Sequence, residues 1–302
     1  MNPALAPLVR AAPSLASQVV KLERAAGAEA PVLVLGEPGT GRSTLARALH
    51  AASRRAAAPL VEVDVAAIPA QLFESELFGH RPGAFTGADR VHLGRVARAE
   101  GGTLLLDHVE ELPLASQAKL LRFLSEKVYA PLGGNEERAD ARVVAVGAQD
   151  LVERVEAGRF RDDLFWRLEV LTFRLSPLRS RRDDILPSAE ALLADLALRL
   201  GRRAPRLSAA AREWFPSYDW PGNLRQLRNV LERALVAGAS ATVDPPRPSA
   251  ERDGGARSLA EVEIVAIRLA LAEARGHQGR AAEILGISRK NLWEKRRRYE
   301  LP

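Results

Sequence analysis

The sequence of 302 residues contains no cysteine, so disulfide bonds and thiol-based catalysis are excluded. It also has no apolar run of about 18 residues, and its N-terminus lacks the basic and apolar regions of a signal peptide. The few histidines are scattered, without the spacing of metal ligands. We therefore expect a cytoplasmic protein that neither spans a membrane nor is exported by a signal peptide.

The composition is that of an ordinary globular protein, with 47% hydrophobic and 27% charged residues. The length suffices for about two domains with a real core. A formal net charge of +6 is compatible with a nucleic-acid partner but does not establish one, because arginine-rich chains also arise from genomic base composition.

Short apolar runs alternate with helical patterns in the first half of the chain. Continuous apolar runs are typical of strands covered on both faces, and they are found at residues 31–36, 59–65, 103–107 and 141–147. Helical periodicity separates them, for example at 43–53 and 114–126. The alternation predicts a mostly parallel, doubly wound α/β sheet.

Helical patterns alone follow after Arg174, at residues 181–201, 207–215 and 222–238. Residues 239–257 have the proline, glycine and charge content of a linker. The expected organisation is therefore a short tail (1–13), an α/β subdomain (14–175), a helical lid subdomain (176–238), the linker (239–257) and a C-terminal domain (258–302).

The segment GEPGTGRS (36–43) lies between a predicted strand and a predicted helix, the context in which a glycine-rich loop cradles phosphates. Arg42 stands where lysine is expected; it keeps the charge but brings a larger planar group. The alternative is a glycine-rich turn that binds no nucleotide. The candidate nucleotide-binding residues here are Gly36, Glu37, Gly39, Thr40, Gly41, Arg42, Ser43 and Thr44.

A second nucleotide element is predicted in LLLDHVEEL (104–112). Asp107 ends a predicted buried strand, so its carboxylate is a candidate ligand of Mg²⁺, together with the Ser43 hydroxyl. These two residues predict Mg²⁺ bound together with a phosphate-containing ligand.

The C-terminal residues 277–301 are typical of a helix-turn-helix. AAEIL forms the first helix, GIS the turn, and SRKNLWEKRRRY the recognition helix, with Ser288 as its N-cap. Its basic side chains suit phosphate and base-edge contacts with double-stranded DNA, whereas the alternative is a solvated basic helix. The candidate DNA-binding residues are Arg280, Ser288, Arg289, Lys290, Asn291, Lys295, Arg296, Arg297 and Arg298.

The segment SELFGHRPGAFTGA (75–88) resembles the loop with which bacterial enhancer-binding proteins contact sigma-54. GGTLLLD (101–107), FRDDLFWRL (160–168), SPLRSRRDDI (176–185) and WPGNLRQL (220–227) match the same family in order and spacing. The resemblance covers nearly the whole chain, as an AAA+ motor over about 14–240 followed by a Fis-type DNA-binding module over 258–301.

This resemblance implies a P-loop NTPase fold and a ring, usually a hexamer, with ATP at subunit interfaces. Hydrolysis would move the GAFTGA loops and remodel the sigma-54 RNA polymerase holoenzyme. Arg161 and Arg167 match arginine fingers acting in trans, and Arg225 matches the second sensor in the lid. The implied sigma-54 contact residues are Gly83, Ala84, Phe85, Thr86, Gly87 and Ala88.

Four positions depart from the family pattern around the nucleotide. Arg42 replaces lysine, His108 replaces the acid that polarises water, Asp64 replaces its asparagine partner, and Ala148 replaces the asparagine of the first sensor. These changes suggest altered or lost hydrolysis. One hypothesis keeps the activity: Asp64 lies beside His108 and orients its ring, which leaves the other ring nitrogen to act as general base.

Two functions therefore stay open. One is an ATP-driven activator of sigma-54 transcription, controlled by a partner in trans, by expression level or not at all, since only about a dozen residues precede the motor. The other is a hydrolysis-deficient relative that represses transcription or modulates another enhancer-binding ring. The apolar stripe of residues 259–274 suggests dimerisation, so the expected homo-oligomer ranges from dimer to hexamer.

Overall fold

The computed structural model describes residues 2–237, 242–244, 267, 274, 278–284, 287 and 289–299. The chain divides into two compact units, Met1–Pro245 and Pro246–Pro302.

The first unit is built around a parallel sheet of five strands in the order β2-β5-β8-β1-β9. All four strands predicted from apolar runs are present; three of them are almost entirely buried, whereas the strand of residues 60–64, at the edge of the sheet, is only partly buried. These strands are β1 (Val32–Gly36), β2 (Leu60–Asp64), β5 (Thr103–Asp107) and β8 (Arg142–Gly147). Two-residue strands form separate two-stranded sheets, β3 (Gly79–His80) with β4 (His92–Leu93) and β6 (Val128–Tyr129) with β7 (Glu137–Arg138).

The fifth strand, β9 (Leu171–Leu175), is absent from the sequence-based expectation. It pairs with β1 at the edge of the sheet, where Phe173 is buried while Arg174 is exposed. In β9 the apolar residues alternate with Thr172 and Arg174, so the strand lacks a continuous apolar run.

Helices cover both faces of this sheet, so the prediction of a doubly wound α/β fold is confirmed. One core contains Leu33, Leu35 and Phe123, and the other contains Val32, Val34 and Leu49. The helices are α1 (Ala6–Ala11), α2 (Val19–Gly27), α3 (Arg42–Ala51), α4 (Ala70–Phe78), α5 (Arg95–Arg98), α6 (Leu114–Glu126), α7 (Leu151–Glu156) and α8 (Asp162–Leu168).

The first residues of the chain are folded onto the first unit. Residues 1–13, expected as a tail, include α1, and Leu5 before it is fully buried in the same core as Leu22. Ser188 Oγ donates to the carbonyl of Ala11 at 2.6 Å, which ties α1 to the helical subdomain. Burial of an apolar side chain explains why the segment is ordered.

The helical subdomain contains α9 (Ile185–Arg199), α10 (Ala209–Ser217) and α11 (Asn223–Val236), in line with the predicted lid helices. Trp220 is fully buried at its centre and donates through Nε1 to the carbonyl of Phe215 at 2.9 Å. The strands β10 (Arg206–Leu207) and β11 (Thr242–Val243) pair in parallel. Val243 is fully buried in the lid core, so the lid extends into the expected linker at 239–257.

The second unit contains the helix pair α12 (Gln278–Ile284) and α13 (Arg289–Arg298). Ala281, Ala282 and Leu292 are buried between them and Ile287 packs against this cluster, as the helix-turn-helix pattern predicts. Leu285, Ser288 and most of the expected dimerisation segment 259–274 lie outside the described residues.

Candidate functional site

The glycine-rich loop joins the end of β1 to the start of α3. Gly39 and Gly41 have φ values of +79° and +101°, which favour glycine. A Cβ built at Gly39 would lie 2.6 Å from the carbonyl oxygen of Gly222, so only glycine fits between the loop and the lid. The loop is thus held at the N-terminus of the ten-residue helix α3, where backbone N–H groups and the helix dipole favour anions.

Ser43 and Asp107 meet beside this loop, as the sequence predicts. Ser43 Oγ donates to Asp107 Oδ2 at 2.6 Å, and the backbone N–H of His108 donates to Asp107 Oδ1 at 3.0 Å. A hydroxyl and a carboxylate at the edge of a phosphate cradle are the oxygen ligands that Mg²⁺ prefers. The donor set therefore fits a nucleotide-bound Mg²⁺ held by these two residues.

Asp64 and His108 lie side by side, as the hypothesis of a paired change requires. The strand pair β2 and β5 places Asp64 opposite Asp107, and His108 Nδ1 lies 2.9 Å from Asp64 Oδ1. Because an ionised carboxylate only accepts, Nδ1 carries the hydrogen, and in the neutral ring Nε2 is left with a lone pair. His108 has a φ of +57°, and its side chain is 32% exposed.

Arg42 faces the protein backbone. Its Nη1 donates to the carbonyl oxygens of Gly36, at 2.9 Å, and of Gly147. The residue is only 6% exposed. In this conformation the guanidinium is held by the ends of β1 and β8, whereas the sequence pattern places a phosphate-binding cation at this position.

A second charged side chain reaches the end of β8, and the sequence analysis had not assigned it a role. Glu110, in a short 3₁₀ helix (Val109–Glu111), accepts from the backbone N–H of Ala148 through Oε2 at 3.1 Å. It is 7% exposed. Ala148 stands where the family pattern has the asparagine of the first sensor. Its backbone N–H is bonded to the carboxylate of Glu110, which comes from a neighbouring segment.

The lid closes over the phosphate loop through polar contacts that sequence reasoning also missed. Arg179 donates to Glu37 through Nη1 at 2.9 Å and Nη2 at 2.5 Å, and this pairing holds the pKa of the Glu37 carboxyl below its usual value. Asn223 Nδ2 donates to the carbonyl of Pro38 at 3.1 Å. Arg181 Nη2 donates to the carbonyl of Thr40 at 2.6 Å.

Arg225, the expected second sensor, lies next to the same loop. A Cβ built at Gly39 would be 3.0 Å from the Cβ of Arg225, and the residue is exposed. The neighbouring Leu224 N–H donates to the carbonyl of Gly39 at 2.9 Å. The lid helix α11 therefore begins in direct contact with the loop.

The arginine-finger candidates lie on the protein surface around α8. Arg161 is exposed and donates to Asp163 through Nε at 3.0 Å and Nη2 at 2.7 Å. Arg167, also exposed, donates to the carbonyl of Leu124 at 3.2 Å. In the part of the chain that the structure describes, neither guanidinium hydrogen-bonds to the phosphate loop.

The GAFTGA segment forms a loop between β3 and β4. Gly83 N–H donates to the carbonyl of Ala88 at 2.8 Å and closes the loop at its base. Thr86 is exposed at its tip; Phe85 is 43% exposed, with its ring edge-on to His80 at 4.9 Å between centroids. The loop thus presents an aromatic ring and a hydroxyl to solvent.

The helix pair of the second unit presents its polar side chains to solvent. Arg280, Arg289 and Asn291 are exposed, while Lys295 and Arg296 are partly buried. Lys290, Arg297 and Arg298 lie in α13, but their side chains lie outside the described set. Arg280 and Arg289 are therefore the described basic residues of this unit that are exposed.

No helix in the described ranges is long and apolar enough to cross a membrane. The same ranges contain no cluster of three or more histidines and carboxylates arranged to hold a metal ion. A metal at Ser43 and Asp107 would therefore depend on phosphate oxygens for further ligands.

Three family models together match almost the whole chain. Residues 8–174 match the Sigma-54 interaction domain, residues 179–251 the AAA+ ATPase lid domain, and residues 258–299 the bacterial regulatory protein Fis family. The second match also includes part of the segment expected as a linker.

Curated relatives are similar over nearly the full chain. The alginate biosynthesis transcriptional regulatory protein AlgB of Pseudomonas aeruginosa is 42% identical over 96% of this chain and 66% of its own length. The response regulator protein PilR of the same species is 40% identical over 92% of this chain and 66% of its own length. The chain thus spans just under two thirds of the length of these relatives.

Solved structures show the same fold. NtrX from Brucella abortus has a TM-score of 0.73 and 29% identity, covering 96% of this chain and 69% of that chain. The complex of NtrX with ATP has a TM-score of 0.70 and 31% identity, covering 93% and 66%. Together with the AAA+ fold, the lid and the Fis-type module, these matches show that the chain belongs to the family of sigma-54-dependent transcriptional regulators.

Proposed function

We propose that this protein binds enhancer-like DNA through α12 and α13, binds ATP with Mg²⁺ at the phosphate loop, and contacts the sigma-54 RNA polymerase holoenzyme through its GAFTGA loop. The observation that carries the proposal is the combination of a glycine-rich loop at the N-terminus of α3 with an exposed GAFTGA tip, Phe85 and Thr86, in one folded unit. ATP-dependent movement of that tip would remodel the polymerase, in a homo-oligomer between a dimer and a hexamer.

Hydrolysis in this proposal relies on residues at the carboxyl ends of β2 and β5. Ser43 and Asp107 would hold a bound Mg²⁺, which would supply charge neutralisation for the phosphates. Asp64 fixes the ring of His108, whose Nε2 accepts a proton from the attacking water. Arg161 and Arg167 of a neighbouring copy would stabilise the charge on the transferring phosphoryl group.

A second function is favoured by the position of Arg42. Its guanidinium is bonded to two backbone carbonyls, and His108 and Ala148 stand at hydrolysis positions. A chain that binds DNA and nucleotide without turnover would act as a repressor, or as a modulator of another enhancer-binding protein. A regulator acting in trans is compatible with either function.

The test is a paired measurement on the purified chain. We expect ATP turnover that rises with enhancer DNA, and capture of sigma-54 in the presence of an ATP transition-state analogue. Nucleotide binding and sigma-54 capture without turnover would favour the modulator. If sigma-54 is captured in none of the nucleotide states, the proposed contact is overturned. A Thr86→Ala variant is the control that shows whether capture depends on the loop.

The paired change at positions 64 and 108 makes a further prediction. If His108 is the general base, His108→Ala lowers ATP turnover about 100-fold, because positioned proton transfer contributes on that scale. Glu111→Gln is the matched control, since Glu111 pairs with Arg154 on the surface of the same segment. Turnover of His108→Ala equal to that of the wild type would eliminate the role of the histidine.

A further inference from the structure

Arg42 and Glu110 hold the two ends of one peptide group. The carbonyl of Gly147 accepts from Arg42 Nη1, while the N–H of the next residue, Ala148, donates to Glu110 Oε2. These two groups belong to the same planar peptide unit, in which the oxygen and the hydrogen point in opposite directions. A buried cation and a buried carboxylate therefore face each other through the Gly147–Ala148 peptide.

This peptide lies at the centre of the candidate site. Strand β8 runs between β5 and β1, with Gly147 opposite Leu35 and Val146 opposite Asp107. The end of β8 is thus between the phosphate loop and Asp107. A Cβ built at Gly147 would lie 3.0 Å from Val109 and 3.1 Å from Leu35, so the peptide is closely packed as well as hydrogen-bonded.

The arrangement couples the two charges. A carboxylate that accepts from a peptide N–H polarises the group and makes its carbonyl a stronger acceptor, particularly at a buried site. Glu110 therefore strengthens the bond between Arg42 and Gly147. Arg42 is also the single basic residue in GEPGTGRS. The side chain that a bound phosphate would attract is therefore the same one that Glu110 holds on the Gly147 carbonyl.

We propose that Glu110 is a positioning residue that holds Arg42 on the Gly147–Ala148 peptide and thereby weakens binding of a nucleoside triphosphate to the phosphate loop. The proposal rests on the proposed function in taking a nucleotide as the ligand of this loop. Movement of the Arg42 guanidinium toward the phosphate oxygens breaks its bond to the Gly147 carbonyl, and Glu110 opposes that movement.

The test compares Glu110→Gln, Arg42→Met, the double variant and Glu111→Gln, using a fluorescent ATP analogue with Mg²⁺. Glutamine keeps an oxygen that accepts from Ala148 N–H but removes the charge. We expect Glu110→Gln to tighten binding of the analogue about fivefold, the scale of replacing a charge-assisted hydrogen bond by a neutral one. If Glu110 only supported the fold, Glu110→Gln would weaken binding of the analogue.

The Arg42→Met background separates positioning from direct repulsion of the phosphates. If Glu110 acts through Arg42, Glu110→Gln changes the affinity less than about twofold in that background. Equal tightening in both backgrounds would overturn the proposal, as would unchanged or weaker binding by Glu110→Gln alone. Glu111→Gln is expected to leave the affinity unchanged.

A measurement without nucleotide tests the coupling by itself. In urea unfolding of the apo chain, the effects of Arg42→Met and Glu110→Gln are expected to be non-additive, whereas those of Arg42→Met and Glu111→Gln add. Additivity in the first pair would overturn the proposal. A different result separates this proposal from the proposed function. If the two effects on stability are non-additive but neither the wild type nor Glu110→Gln binds the analogue, the proposed nucleotide function fails. The effect of Glu110 on affinity then fails with it, whereas the coupling between Arg42 and Glu110 stands.

Discussion

Replacing Asp184 with alanine is expected to lower the free energy of unfolding by about 3–5 kcal/mol, the range for breaking a buried ion pair. Asp184 is fully buried and accepts three hydrogen bonds, from Ser14 N–H at 2.8 Å, from Ser14 Oγ at 2.5 Å and from Arg181 Nη1 at 3.3 Å. Without the carboxylate, the buried guanidinium of Arg181 loses its ionic partner. Burial already lowers the pKa of Arg181, which reflects the cost of keeping this charge inside.

The same substitution is expected to reach the nucleotide site. Arg181 also donates to the carbonyl of Thr40 in the phosphate loop, so its loss of order loosens the loop. Urea unfolding measures the stability, and binding of a fluorescent ATP analogue measures the loop. Asp183→Ala is the matched control, because Asp183 is exposed one residue earlier and its removal is expected to change the stability by less than about 0.5 kcal/mol. A loss below about 1 kcal/mol in Asp184→Ala would contradict the structural role assigned here.

Local patterns in the sequence predict the elements that carry a strong periodic signal. The predicted helix at 114–126 coincides with α6, and four of the five sheet strands were found from apolar runs. The pattern failed where burial depends on distant partners. The position of α1 depends on a contact with α9, and that of Ser14 depends on Asp184, which lies 170 positions further along the chain. No local pattern encodes such contacts.

In the candidate site, too, one contact could be predicted from the sequence and others could not. The contact between Asp64 and His108 was predictable, because Asp64 ends β2, His108 directly follows the neighbouring parallel strand β5, and both positions differ from the family pattern. The bonds of Arg42 and Glu110 to one peptide were not predictable. A long charged side chain can reach several partners from one position, and only the packed structure selects among them.

Replacing Arg161 with alanine is expected to lower ATP turnover about 1,000-fold, within the range attributed to arginine fingers. In its own chain the exposed Arg161 pairs with Asp163, two residues away, and lowers the pKa of that carboxyl. A finger in trans must leave this local pair and reach the phosphate loop of the next subunit. Its loss therefore removes charge stabilisation without disturbing the fold of its own chain.

Mixed oligomers test the direction of this action. Asp107→Asn removes the carboxylate beside Ser43 and is expected to be inactive alone. Mixing it with Arg161→Ala restores part of the turnover, because an interface can then combine Asp107 of one copy with Arg161 of the next. Mixing Arg161→Ala with Arg167→Ala is the control: each such interface lacks one finger, so no turnover returns. If the first mixture is no more active than its components, Arg161 does not act on the phosphate loop of a neighbouring copy.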